Sequence, residues 1–180
     1  MALEHAILVS LSERDGSGYE LARRFERSIG FFWRATHQQI YRTLKRMADA
    51  GWVSVAPVPQ DGKPDKKVYA VAEGGRAELA RWLAEPSDPV ELRTDLAVKI
   101  RGAAHGDLDA LVKEVARHRD SHAERWALYL AIADRDFPEP GALAGSALHQ
   151  YLVLRGGVRA EHAFVEWCDE VLQALTGGGR

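Results

Sequence analysis

Cysteine is nearly missing from this sequence. Cys168 is the one thiol among 180 residues, so no disulfide can form within the chain. At this length a core needs no such staple, and a lone thiol fits a reducing compartment. Long apolar runs are missing as well: the longest, Trp126 to Ala133, has 8 residues, where a bilayer-spanning helix needs about 20. The N-terminal stretch carries Glu4 and no basic region, so no secretory signal is expected. Membrane, disulfide-scaffold and collagen-like classes are thereby excluded, and a cytoplasmic location is expected. What remains is ordinary: 46% apolar and 28% charged residues, enough for one domain or two small ones.

Acidic residues are absent between Ser28 and Ala48, whereas Arg34, Arg42, Lys45 and Arg46 all fall there. Residues 1–84 carry 13 Lys/Arg and 10 Asp/Glu, net +3; residues 85–180 carry 11 and 16, net −5. A basic first half joined to an acidic second half points to a polyanion-binding module attached to something else.

The pattern along the chain predicts mainly α structure with a small β-hairpin. Ala2 to Ser12 reads as a helix, broken by Asp15-Gly16-Ser17-Gly18. Ser17 and Glu20 form an S-x-x-E capping box opening a helix over Tyr19 to Ser28. After Gly30 and the aromatic connector Phe31-Phe32-Trp33, Thr36 and Gln39 repeat the pattern as T-x-x-Q. That helix should run to Ala50 and stop at Gly51. Ile40, Leu44 and Met47 place its core face, leaving Gln38, Arg42 and Lys45 opposite.

Val53, Val55, Val68 and Val71 lie in two strand-like runs about a turn from Gln60 to Asp65, with Pro57 and Pro59 confining them to an edge or a protruding hairpin. Glu73 to Ala84 then reads as a helix burying Leu79, Trp82 and Leu83. The break Glu85-Pro86-Ser87-Asp88-Pro89 sets the domain boundary, giving domains 1–84 and 85–180. Beyond it, helices are expected near Leu92 to Ala104, from Asp107 to about Asp136, and from after Gly141 to about Leu175.

Three helices followed by a hairpin make a winged helix-turn-helix, whose third helix enters the major groove while the wing lies along the backbone or minor groove. Arg and Gln offer paired contacts to guanine and adenine edges; Lys and Tyr reach phosphates. The third helix supplies Gln38, Arg42 and Lys45, flanked by Gln39, Tyr41 and Arg46, and the wing supplies Lys63, Lys66 and Lys67. The expected partner is double-stranded DNA. The alternative is a winged-helix adaptor that binds a protein without specific DNA binding.

The same residues carry a resemblance. G-Y-E-L at Gly18 to Leu21, Q-I-Y-R-T-L-K-R-M at Gln39 to Met47, the following A-G-W, and Y-A-V-A-E-G-G-R-A-E-L at Tyr69 to Leu79 resemble the PadR family of bacterial transcriptional regulators. Tyr151 to Leu172, with L-R-G-G-V and E-W-C-D-E, resembles the helical half of its larger subfamily. The resemblance implies a winged-helix repressor, a homodimer built through a C-terminal helical dimerisation domain, and in some members a small aromatic or cationic effector. It also implies DNA-facing roles for Tyr19, Gln39, Tyr41, Arg42 and Lys45; with Thr36 at the start of the third helix these complete the expected interface. Two departures stand out. Arg42 occupies a position where many relatives have Pro, and Val71-Ala72 replaces a frequent Leu-Thr, removing a helix cap before Glu73.

Tyr151, Leu154, Val158, Val165, Cys168, Leu172 and Leu175 keep 3/4 spacing in the last helix, apart from a polar gap at Glu161, and are assigned to the dimer interface. Trp126, Tyr129 and Trp167 are the candidate effector contacts, since aromatic rings suit flat ligands. Glu114, His118 and His122 share one helix face but lack a further His or Cys ligand and the H-E-x-x-H spacing, so they read as a solvated or interfacial stripe. Cys168 sits among apolar residues and reads as packing. No catalytic spacing and no phosphate-loop context is present, so neither an enzyme, a metal nor a cofactor is expected.

Overall fold

The computed structural model describes residues 2–27, 35–60, 63–89 and 94–177. The connector from Gly30 to Trp33, Arg34, and the turn residues Asp61 and Gly62 lie outside the described residues, as does the side chain of Lys63. The chain forms two compact units, Met1–Asp88 and Pro89–Arg180.

The first unit runs α1 (Ala2–Glu13), β1 (Gly16–Ser17), α2 (Gly18–Arg27), α3 (His37–Asp49), β2 (Val53–Gln60), β3 (Lys63–Val71) and α4 (Glu73–Leu83). Its three-stranded antiparallel sheet has the order β1-β3-β2, so the strand holding Pro57 and Pro59 is an edge, where a missing N–H costs no central ladder bond. β1 went unanticipated: Gly16 and Ser17, read as a break, pair with Tyr69 and Val68. The hairpin is also longer than expected, since Lys63 to Asp65, read as turn, already belong to β3.

The core joins Leu8, Leu21, Phe25, Ile40, Leu44 and Met47, all essentially inaccessible. Burying side chains of this size stabilises by about 1.5–3 kcal/mol each. Arg24 of α2 donates to the carbonyls of Ser10 (3.1 Å), Arg14 and Asp15 (2.7 Å), placing a cation at the C-terminal end of α1, where the helix dipole favours it. Gly75 brings α4 onto the start of β2: a β-carbon there would come within 2.1 Å of the Trp52 carbonyl oxygen. Ala72 caps α4 with no side-chain hydrogen bond, as the missing threonine implied. Leu83 departs from expectation. It is 67% exposed, and Trp82 is exposed as well, at 36%, with its ring stacked on His5 at 4.4 Å.

The second unit contains α5 (Asp95–Arg101), a 3-10 turn at Ala103–His105, α6 (Leu108–Asp136), a second 3-10 turn at Pro140–Ala142, and α7 (Gly145–Thr176). α5 is shorter than its apolar pattern suggested because Gly102 ends it, and the first two residues of the expected helix, Leu92 and Arg93, are outside the described residues. α6 and α7 lie antiparallel, as the pairings of Arg119 with Asp169 and Phe137 with Tyr151 require. α7 passes through Gly156 and Gly157 unbroken. Leu96, Leu111, Val115 and Cys168 form the buried cluster, with Trp167, Leu172 and Leu175 packed against it.

The expected use of the α7 apolar series changes accordingly. Leu154, Val158, Val165 and Cys168 are already buried within one chain, because α6, at 29 residues, runs alongside nearly the whole of α7. Leu172, Leu175 and Tyr151 are half-buried. Exposed apolar side chains lie elsewhere on the same helices, at Leu128, Leu130, Leu152 and Val153.

Candidate nucleic-acid interface

α3 is fixed at both ends by its own sequence. The Thr36 hydroxyl accepts from the Gln39 N–H (3.2 Å), and the Gln39 side-chain oxygen accepts from the Thr36 N–H (2.8 Å). At the other end Gly51 adopts φ +71°, a left-handed conformation open to glycine, and Trp52 N–H donates to Met47 (2.9 Å) to close the helix. Ile40, Thr43, Leu44 and Met47 are buried; Gln38, Gln39, Tyr41, Arg42 and Lys45 are exposed. The cationic face inferred from periodicity is therefore present and turned to solvent. Three of its neighbours, however, are engaged within the protein. Thr36 and Gln39 form the cap, and Arg46 is ion-paired with Glu4 of α1.

Two tyrosines extend this face. Tyr19, at the start of α2, is 56% exposed and Tyr41 is 46% exposed. The Tyr41 ring lies against Gly18, where a β-carbon would stand 2.3 Å from its Cε1. Tyr69 in β3 is buried beneath them; burial raises its phenol pKa, and nearby Tyr41 adds to the rise.

In the wing, Lys67 is exposed, but Lys66 is not free to solvent in the way its sequence suggests. Its Nζ lies 2.8 Å from Glu20 Oε1, while Glu20 Oε2 accepts from the Ser17 N–H (2.8 Å) and hydroxyl (3.0 Å). Lys66 and the Ser17 backbone together hold the Glu20 carboxyl at about 2, well below its ordinary value. The capping box was legible in the sequence; the lysine that shares its carboxylate was not.

Sequence reasoning also missed a cluster joining α1 to α4. His5, buried, donates through Nε2 to Glu78 Oε1 (2.9 Å), which also receives Arg81 Nη2 (2.7 Å), while Arg81 Nε binds the other oxygen (2.8 Å). Arg81, with His5, lowers the Glu78 carboxyl to about 2. A histidine in an apolar stretch carries no local signal for a partner 73 residues away.

In the second unit, Glu114 binds Arg117 (2.9 Å) and lies near His118 (3.4 Å) and Lys99 (3.5 Å); Arg117 chiefly brings its pKa to about 2. His122, whose ring stacks 6.5 Å from that of His118, pairs with Glu161 and stacks on Phe164 at 4.4 Å, and Glu161 also receives Arg125 (3.0 Å). Glu161, the polar gap in the apolar series, is thus one of the places where α6 and α7 are joined by ion pairs, beside Arg119 with Asp169. Cys168 is inaccessible, and burial raises its thiol pKa. Among the described residues no group of three or more His, Cys, Asp or Glu is placed to hold a metal. Of the three candidate effector aromatics, Tyr129 is buried, Trp126 packs on His162 (4.3 Å), and Trp167 meets Phe164 edge-on (6.1 Å). An open depression in this unit is lined instead by Lys99, Ala103, His105, Leu111 and Glu114.

Three helices followed by a wing and a fourth helix, with the capped cationic third helix exposed, define a winged-helix DNA-binding transcriptional regulator. Comparison with known proteins specifies it further. Residues 7–81 match the Transcriptional regulator PadR-like family, and residues 92–176 match Virulence activator alpha C-term. The Mycobacterium tuberculosis protein named "Probable transcriptional regulator Rv1176c" is 55% identical over 97% of this chain and 98% of its own. The Negative transcriptional regulator PadR of Bacillus subtilis is 28% identical, with 96% and 97% covered. Its structure with operator DNA superposes with TM-score 0.86 at 24% identity, over 97% of this chain and 99% of that one; it has also been solved with p-coumaric acid. The Vibrio cholerae virulence activator AphA gives TM-score 0.83 at 29% identity, with 97% and 98% covered. The chain belongs to the PadR-like family of transcriptional regulators.

Proposed function

We propose that this regulator is a cytoplasmic repressor that binds a palindromic operator as a homodimer and is released by a small aromatic effector. The observation that carries the reading is the face of α3, where Gln38, Arg42 and Lys45 stand exposed on a helix capped at both ends. Arg42 reads a guanine edge, Gln38 an adenine edge, and Lys45, Tyr19, Tyr41 and Lys67 hold phosphates. Residues 1–84 form the DNA-binding domain and residues 85–180 the dimerisation and effector domain. One head contacts few base pairs, so two joined heads are needed for useful affinity. The exposed Leu152 and Val153 of α7 are the surface we assign to a second copy. Among the described residues no helix is long and apolar enough to cross a membrane. Operator occupancy by the B. subtilis relative, and its complex with p-coumaric acid, support the partners proposed.

Selection of bound fragments from random duplex tests the reading. A palindromic consensus, with affinity falling steeply as salt rises at a log–log slope of about −0.9 per neutralised phosphate, is the expected result. Absence of both a consensus and a salt slope overturns it in favour of a protein-binding adaptor.

A further inference from the structure

We propose that Glu20 limits DNA affinity by holding the wing lysine Lys66 away from the phosphate backbone. The inference rests on the DNA-binding reading above and deepens it.

Lys66 is a wing cation that reaches α2: its ammonium is 2.8 Å from Glu20 Oε1. The carboxylate is not a loose surface group, because its second oxygen is fixed by the Ser17 N–H and hydroxyl in the capping box. A phosphate that draws Lys66 away therefore leaves an anchored negative charge facing DNA. The pair is partly solvated, at 31% and 44% side-chain exposure, so its own attraction is modest. What matters is the cancelled charge: as long as the pair holds, Lys66 displaces no counterion from DNA. Lys67, adjacent in the strand and exposed, has no such partner among the described residues.

The test compares single and double variants of the full chain on operator duplex and on unrelated duplex across a salt series. Glu20→Gln keeps an oxygen for the Ser17 cap, as glutamine does in the same motif. It should bind both duplexes roughly five-fold tighter at low salt, the scale of one unit charge a few ångströms away in a wet site. Its salt slope should steepen by about 0.9. Glu20→Gln/Lys66→Ala should return to the wild-type slope. As a control on folding, Lys66→Ala alone should leave the slope unchanged, whereas Lys67→Ala should reduce it by about 0.9. An unchanged slope in a folded Glu20→Gln, or a loss of about 0.9 in Lys66→Ala alone, overturns the proposal. A wild-type protein with no salt dependence on duplex would instead overturn the DNA-binding reading itself.

Discussion

The ring of Tyr41 in α3 occupies the space that a side chain at Gly18 in α2 would need, with only 2.3 Å from a β-carbon there to Cε1. The glycine thus sets where the phenol stands on the face proposed to meet DNA. Gly18→Ala should displace the ring and weaken operator binding roughly five- to ten-fold, the scale of one lost hydrogen bond. The salt slope should not change, because a neutral phenol releases no counterion. In that background Tyr41→Phe should cost nothing further, whereas in the wild type it should weaken binding. Wild-type affinity in Gly18→Ala would remove Tyr41 from the interface.

Arg42→Ala separates reading from holding. Loss of a bidentate guanidinium should cost about 1–3 kcal/mol at one base position and relax selectivity there. Lys45→Ala should weaken all sequences about equally. Competition binding with single-base operator variants measures both; an Arg42→Ala protein of unchanged selectivity would exclude α3 as the reading helix.

The carboxyls of Glu20 and Glu78 are held at about 2, against 4.5 for the free group. A carboxyl depressed in the folded state contributes stability that is complete above its unfolded pKa and disappears as pH falls toward the folded value. The winged unit should therefore lose thermal stability between pH 4.5 and about 2. Glu78→Gln should be less stable at neutral pH and show a flatter acid profile. Melting followed by circular dichroism across this window checks it, and an unchanged profile in Glu78→Gln would rule out the His5–Glu78–Arg81 cluster as a source of acid sensitivity.

The surface assigned to a second copy is open to a direct test. Leu152→Glu should shift the protein toward monomer in sedimentation at micromolar concentration, with helical content retained, since Leu152 is 57% exposed and packs little within its own chain. Leu172→Asp is a different experiment: Leu172 packs on the Leu96–Val115–Cys168 cluster, so a carboxylate there should lower the melting temperature. A Leu152→Glu protein that remains dimeric would move the interface, most directly to Leu128 and Leu130 of α6.

What the sequence made legible was local. Thr36 with Gln39, and Gly51, announce the ends of α3 because caps act over three or four residues. Ile40, Leu44 and Met47 orient it because helical period and burial coincide. β1 was invisible, since two residues have no period. Glu20 with Lys66, 46 residues apart, and His5 with Glu78, 73 apart, meet only through the tertiary fold. For α7 the periodicity picked out Leu154, Val158, Val165 and Cys168, which are buried within the chain, and Tyr151, Leu172 and Leu175, which are half-buried. It could not say which surface meets them, since α6 presents an equally suitable partner. Leu83, apolar and yet 67% exposed, shows the complementary limit: hydrophobicity alone does not assign burial.

The fold-back of Gln39 onto Thr36 limits how much sequence information one head can hold. With that carboxamide committed to the cap and Arg46 to Glu4, the proposed base readers on this face reduce to Gln38 and Arg42. At about one base pair each they specify roughly 4 bits. Singling out one address among about a million competing sites takes roughly 20 bits. Two heads supply roughly 8 of these, and on this reading the remainder is encoded in groove width and bendability at positions no side chain touches. On the proposed reading, an operator for this protein is therefore defined as much by its spacer as by its half-sites.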